Sequence, residues 1–300
     1  MAVKWTDLVD PSREELLHAT TLALDPEAIE TLVAAPGDGR DARPLIEGHG
    51  SYVLAVLSYP QVFPADDRVE YLELDLIATT TRVVTVRKTG RGGGLAPIDV
   101  LAARANGDLD AGVLVHAVVD DVADGFLGLL DGLYEEIDEL EGHVDELSGS
   151  VVRRRMAELR HELLHGRRTA SATRAAVRRI VAGRIDLSGP RLFSPAVEAA
   201  FVDTYETFVR VAEELDVARD LLASVRDYHQ AKIAEGQNDI VKKLTVVASL
   251  VFVPSLIVGF YGQNFAEAFD EPYWSVGVSL GLIVVTTIAQ LALFRWRRWI

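Results

Sequence analysis

Two long apolar runs close the pattern of hydrophobic and polar positions. Leu244–Gly262 and Tyr273–Phe294 carry no charged side chain, and no Lys, Arg or His occurs anywhere from Leu244 to Phe294. An uncharged run of about 18 or more residues is long enough to cross the hydrocarbon layer as a helix. The pattern predicts transmembrane helices over 244–264 and 273–294. Between them, residues 265–272 form a short external loop holding Glu267, Asp270 and Glu271. Lys242 and Lys243 precede the first run, and Arg295, Arg297 and Arg298 lie in a basic tail, 295–300, after the second. Positive charge outside both runs and acid between them predict a multi-pass membrane protein with both termini in the cytoplasm.

The upstream pattern is of other kinds. Residues 1–112 read as a cytoplasmic α/β domain. Asp25-Pro26-Glu27 opens a short helix through Leu32, with Asp as N-cap and Pro at the first helical position. Ser51–Tyr59, Val69–Ala78 and Arg82–Arg87 are rich in β-forming side chains and read as strands. Residues 113–195 read as a charged helical hairpin, with eleven acids and no Lys or Arg from Asp120 to Glu146, then ten Arg and two Glu from Arg153 to Arg184. Opposite charge on consecutive helices predicts antiparallel pairing across a solvated hairpin. Beyond the Gly- and Pro-containing segment 183–195, residues 196–243 read as a long stalk helix. Phe201, Phe208, Leu215, Leu222 and His229 recur every seven residues, as do Thr204, Val211, Ala218, Val225 and Lys232. A seam of that kind predicts packing along partner helices, and over such a length the expected partners are further copies of the chain.

Composition narrows the function. The chain of 300 residues has 45 Asp and Glu against 30 Lys and Arg, which argues against general nucleic-acid binding. It contains no cysteine, so neither disulfides nor thiolate metal sites arise. The N-terminal Met-Ala-Val-Lys-Trp-Thr-Asp lacks the apolar stretch of a secretory signal. The glycines of Thr89–Gly94 lack the Gly-Lys-Ser/Thr ending of a phosphate loop and read as a turn.

The decisive motif is Tyr261-Gly262-Gln263-Asn264-Phe265, between the two apolar runs. In that position it resembles the Tyr-Gly-Met-Asn-Phe signature of the CorA, or two-transmembrane GxN, family of divalent-cation channels, with Gln263 in place of Met. The resemblance implies an α+β cytoplasmic domain, a long stalk helix and two C-terminal transmembrane helices, assembled as a funnel-shaped homopentamer in the lipid bilayer. It implies transport of Mg2+, with Co2+, Ni2+ or Zn2+ as further substrates, and no separate cofactor. Matched backwards from the motif, its pore-facing positions fall on Ser255, Phe252, Ala248, Leu244, Val241 and Asn238. Phe201-Val-Asp203-Thr-Tyr205-Glu206 resembles the family's stalk segment in which an acid holds a regulatory Mg2+ between subunits, and Asp203 is the match.

The chemistry fits that reading. Mg2+ gives up its water reluctantly, so a selective entrance gains from neutral acceptors that bind the hydration shell without trapping the ion. A ring of Asn264 amides meets that need, with Gly262 letting the chain turn and crowd an axis, and Asn238 and Ser255 offering further water-binding collars. Leu244 and Phe252 form apolar constrictions. Two other readings compete. His161-Glu162-Leu163-Leu164-His165 fits the His-Glu-x-x-His pattern of zinc peptidases, but Arg160, Arg167 and Arg168 crowd it with positive charge; burial in a cleft would favour it. A membrane-anchored scaffold without transport is the remaining alternative.

Overall fold

The computed structural model describes residues 3–35, 43–63, 68–99, 110–185, 187–262 and 272–300. They fall into two compact units, Met1–Val225 and Arg226–Ile300.

Five strands, β1 (Lys4–Val9), β2 (Leu45–Gly48), β3 (Val53–Phe63), β4 (Arg68–Ala78) and β5 (Arg82–Arg87), form the sheet of the first unit. Their order is β1-β5-β4-β3-β2. β1 runs parallel to β5 and the other neighbours are antiparallel. Side chains alternate across a strand, so Val53, Ala55 and Leu57 join Leu72, Leu74 and Leu76 on one face. Leu54, Ile77, Val84 and Val86 occupy the other. Helices cover both faces, which is why the sequence 53–57 is apolar throughout instead of alternating.

Two short helices, α1 (Arg13–Thr20) and α2 (Pro26–Val33), cover the second face with Leu16, Ala28, Ile29 and Leu32. Ser12 and Glu15 close a reciprocal capping box at the start of α1. α2 begins at Pro26 behind Asp25, as the sequence predicts. The three anticipated strands are present, with β3 running on to Phe63. β1 and β2 and helix α1 were not anticipated: β1, Lys-Trp-Thr-Asp-Leu-Val, lacks the β-branched run of the equally long β5, and β2 has only four residues.

The opposite face is covered by α3 (Ala111–His143), which is followed by α4 (Gly149–Val181). Here the structure corrects the expectation of a solvated hairpin. α3 buries Leu114, Val118, Val122, Phe126, Leu129 and Leu133 in the main core, and its acids occupy the remaining face. Nor are the arginines of α4 committed to α3. Arg155 meets Glu139 at 3.5 Å, but Arg179 reaches Glu47 on β2 at 2.5 Å and Arg167 reaches Asp216 at 2.7 Å. Gly112 and Gly166 permit close approach: a Cβ at Gly112 would stand 2.5 Å from the Leu192 carbonyl oxygen, and one at Gly166 3.1 Å from the Tyr71 hydroxyl.

The longest helix, α5 (Pro195–Tyr261, 67 residues), contributes to both units. Its seam overturns a second expectation. Phe201, Thr204, Phe208, Val211, Leu215, Ala218, Leu222 and Val225 are all buried within the single chain, and the apolar members join the main core. Phe208 meets Phe126 of α3 edge-on at 5.8 Å. From Phe201 to Val225 the seam is therefore satisfied by the chain's own helices, while its last members, His229 and Lys232, are half-buried and exposed. Past Val225 the helix changes character: every residue from Arg226 to Val241 except the half-buried His229 is exposed. The second unit is completed by α6 (Pro272–Trp296). Both its helices are long and apolar enough to cross a membrane.

Candidate ion-conducting site

The second unit sorts the residues of α5 by helical face. Asn238, Val241, Leu244, Ala248, Phe252, Ser255 and Gly262 are all exposed. At ~100° per residue they share an arc of about 120°. Lys242, Val246, Ser249, Leu250, Val253, Pro254, Ile257 and Tyr261 are buried or half-buried and fall on the opposing side. Leu244 and Phe252 are each 66 % exposed in the single chain, and Val247, Val251 and Phe260, off that arc, are exposed to a similar degree.

Local chemistry along the helix is consistent with its register. The Ser255 hydroxyl donates to the Val251 carbonyl at 2.7 Å, which leaves its oxygen lone pairs free to accept from water. Thr245 donates to Val241 in the same way at 2.8 Å. Pro254 lies inside the helix and supplies no N–H to the turn before it. Ahead of the apolar run, Asp239 pairs with Lys242 at 2.9 Å, and that hydrogen bond and charge lower the carboxyl pKa. At the far end, the Gly262 N–H donates to the Val258 carbonyl at 2.8 Å, continuing the helical ladder. Gly262 does not adopt a positive φ. A Cβ there would lie 3.0 Å from the Val258 oxygen of its own helix, and Gly262 forms no left-handed cap.

Gln263, Asn264, Glu267, Asp270 and Glu271 lie outside the described residues. Asp203 is exposed on α5 in the first unit, and its carbonyl accepts from the Thr207 hydroxyl at 3.1 Å. Its neighbour Thr204 is buried and donates to Asp120 of α3 at 2.8 Å, which fixes the helix face and leaves Asp203 outward. Among the acids of α3, Asp121 has its pKa raised, first by burial and then by Asp124 and Asp99.

The zinc-peptidase pattern does not assemble a site. Leu163 is buried, His161 is exposed, and His165 stacks on Tyr71 of β4 at 4.0 Å. Among the described residues no three His, Asp or Glu side chains are grouped to hold a metal ion. Sequence reasoning also passed over Ile233 and Ile240, which are 43 % and 66 % exposed. Neither lies in the seven-residue register of the upstream seam; their signal is an apolar side chain in an otherwise polar segment.

A family model described as CorA-like Mg2+ transporter protein matches residues 1–298. The chain belongs to that family. Among its relatives is the cobalt/magnesium transport protein CorA of Thermotoga maritima, 24 % identical over 265 residues that cover 86 % of this chain and 73 % of the relative. The complete CorA magnesium transporter of Methanocaldococcus jannaschii superposes with a TM-score of 0.79 at 19 % identity, covering all of this chain and 92 % of that one. The ZntB cytoplasmic domain of Vibrio parahaemolyticus gives a TM-score of 0.57 at 12 % identity, covering 77 % of this chain and 88 % of that one. The match to the complete transporter establishes the CorA fold: an N-terminal α/β domain, a long helix and a final pair of apolar helices, which fit membrane insertion.

Proposed function

We propose that the protein is a homopentameric divalent-cation channel of the plasma membrane, conducting Mg2+ and secondarily Co2+ or Ni2+ along an axis lined by α5. The observation that carries this reading is the exposed arc from Asn238 to Gly262. An apolar stripe with polar residues at both ends, opposite the covered face, is what a helix presents when copies of itself surround a pore. The cobalt/magnesium transport role of the Thermotoga relative supports the choice of ion.

In this arrangement Asn264 rings the outer entrance and binds the hydration shell of the ion, while Gly262 lets the helices approach. Gln263 sets the spacing at that turn, and Glu267, Asp270 and Glu271 concentrate cations in the external loop. Below the entrance, Ser255 and Asn238 bind water on the path; Ala248 and Val241 line it between them. Leu244 and Phe252 narrow it with apolar rings that exclude water when the helices close. Both termini are cytoplasmic, since Lys242, Lys243 and the arginines after Leu293 flank the membrane segments on one side. Asp203 binds a regulatory Mg2+ that favours the closed arrangement. Such a bias exists only if the ion binds the closed state more tightly than the open one.

Divalent uptake into liposomes containing the full chain tests the reading, with Mg2+, Co2+, Ni2+ and Zn2+ compared. Flux of Mg2+ is expected. Flux of Zn2+ alone would make this a zinc transporter of the same fold, and flux of none would leave a membrane-anchored scaffold.

A further inference from the structure

In the first unit, one face of α4 borders a groove of about 660 Å3, inside the ~300–1,000 Å3 range of small-molecule sites. His161, Leu164, His165, Arg168, Ala172 and Ala175 recur along α4 at spacings of one to four, and Arg43 and Pro44, just before β2, form the facing wall. The protein carries a net charge of −15, yet among the described residues no carboxylate lines this groove and three arginines do. Arg167 is engaged by Asp216 at 2.7 Å and serves as wall. Arg43 and Arg168 are exposed and have no ion-pair partner among the described residues. His165 is held by its stack on Tyr71, and His161 stands edge-on to it at 6.4 Å between ring centres. Ser171 adds a hydroxyl to the lining.

We propose that this groove binds an oligophosphate, either free or as part of a nucleotide. Paired guanidiniums match phosphate oxygens in bidentate geometry, which one lysine-like point charge does not. A single phosphate would fill only a fraction of the volume, so a chain of two or three phosphates fits it better. Leu164, Pro44 and Ala172 offer an apolar surface, and the imidazoles a stacking edge, where a nucleobase has room. The site uses no residue of the ion pathway and stands whether or not the protein conducts Mg2+.

Binding of ATP, inorganic tripolyphosphate and adenosine to the detergent-solubilised full chain, measured by calorimetry in Mg2+-free buffer, tests the proposal. ATP and tripolyphosphate are expected to bind and to compete. Arg43→Ala with Arg168→Ala should weaken both by about tenfold or more. Arg178→Ala, an exposed arginine of α4 outside the groove, should leave them unchanged. Equal affinity for ATP and tripolyphosphate identifies the phosphate chain as what is read; tighter ATP binding, with adenosine competing, identifies a nucleotide. The proposal is overturned if neither anion binds below millimolar concentration, if the double variant binds as the parent does, or if Arg178→Ala costs as much.

Discussion

Lys88 extends its ammonium to within 3.3 Å of Asp75, a carboxylate with no exposed surface on the face of the sheet covered by α1 and α2. Lys88 also reaches Glu73 and donates to the Thr31 carbonyl at 2.6 Å. One cation thus serves two carboxylates in a site almost without water. Burial raises the Asp75 pKa well above its ordinary value, against the pull of Lys88 and with the push of Glu73.

The sign of the pH effect follows. A raised carboxyl pKa means that the folded state binds a proton the unfolded chain has already lost. Its stabilising contribution is complete below the unfolded value of about 3.9 and is lost as pH rises through the folded pKa. Stability should therefore fall with rising pH across that window, with a slope of at most about 1.4 kcal/mol per pH unit for one proton. Asp75→Asn should flatten this limb. Melting temperatures of the detergent-solubilised chain at a series of pH values from 4 upward check it; identical slopes in parent and variant would mean that Asp75 remains ionised beside Lys88.

Phe208→Ala should destabilise the fold by about 3–5 kcal/mol, the usual cost of emptying a buried aromatic site, because Phe208 is fully buried against Phe126. Ile240→Asp should leave the melting of the chain's own core unchanged and weaken assembly, since Ile240 is 66 % exposed in the single chain. Light scattering in mild detergent, beside thermal melts, separates the two. The account of assembly fails if Ile240→Asp remains as oligomeric as the parent at every concentration tried.

Asp203→Ala should leave Mg2+ flux intact and relieve its inhibition by internal Mg2+. It should also remove Mg2+-dependent protection of α5 from protease. Equal protection in parent and variant would reduce Asp203 to a solvated acid.

Gly262→Ala should cut flux without dissociating the oligomer, because in the proposed pore the added methyl would occupy the turn where neighbouring helices approach. Unchanged flux would show that the turn has room to spare.

The apolar runs, the strands β3, β4 and β5 and the Pro26 helix were legible because each rests on a local pattern. The seam of α5 was legible as a seam, but its partner was not. Phe201 and Phe208 repeat at seven whether the facing helix belongs to the same chain or to a copy, and only tertiary packing, with Phe126 against Phe208, decides it. The acids of α3 misled for a related reason. Eleven acids crowd residues 120–146, nine of them on α3, yet those nine lie on the helix whose Leu114, Val122 and Phe126 turn to the core. Of the candidate pathway, the positions Asn238 to Ser255 came from resemblance to the family, and their shared exposed arc is a property of the helix. The Arg43–Arg168 groove joins residues 125 positions apart, and nothing in either local sequence connects them.

The central claim is conduction through an entrance ringed by Asn264. Mg2+ uptake by liposomes holding the parent or Asn264→Ala protein, each checked for intact oligomer, measures it most directly. The account predicts Mg2+ uptake by the parent and its loss in the variant with assembly unchanged. Equal uptake by both would contradict it.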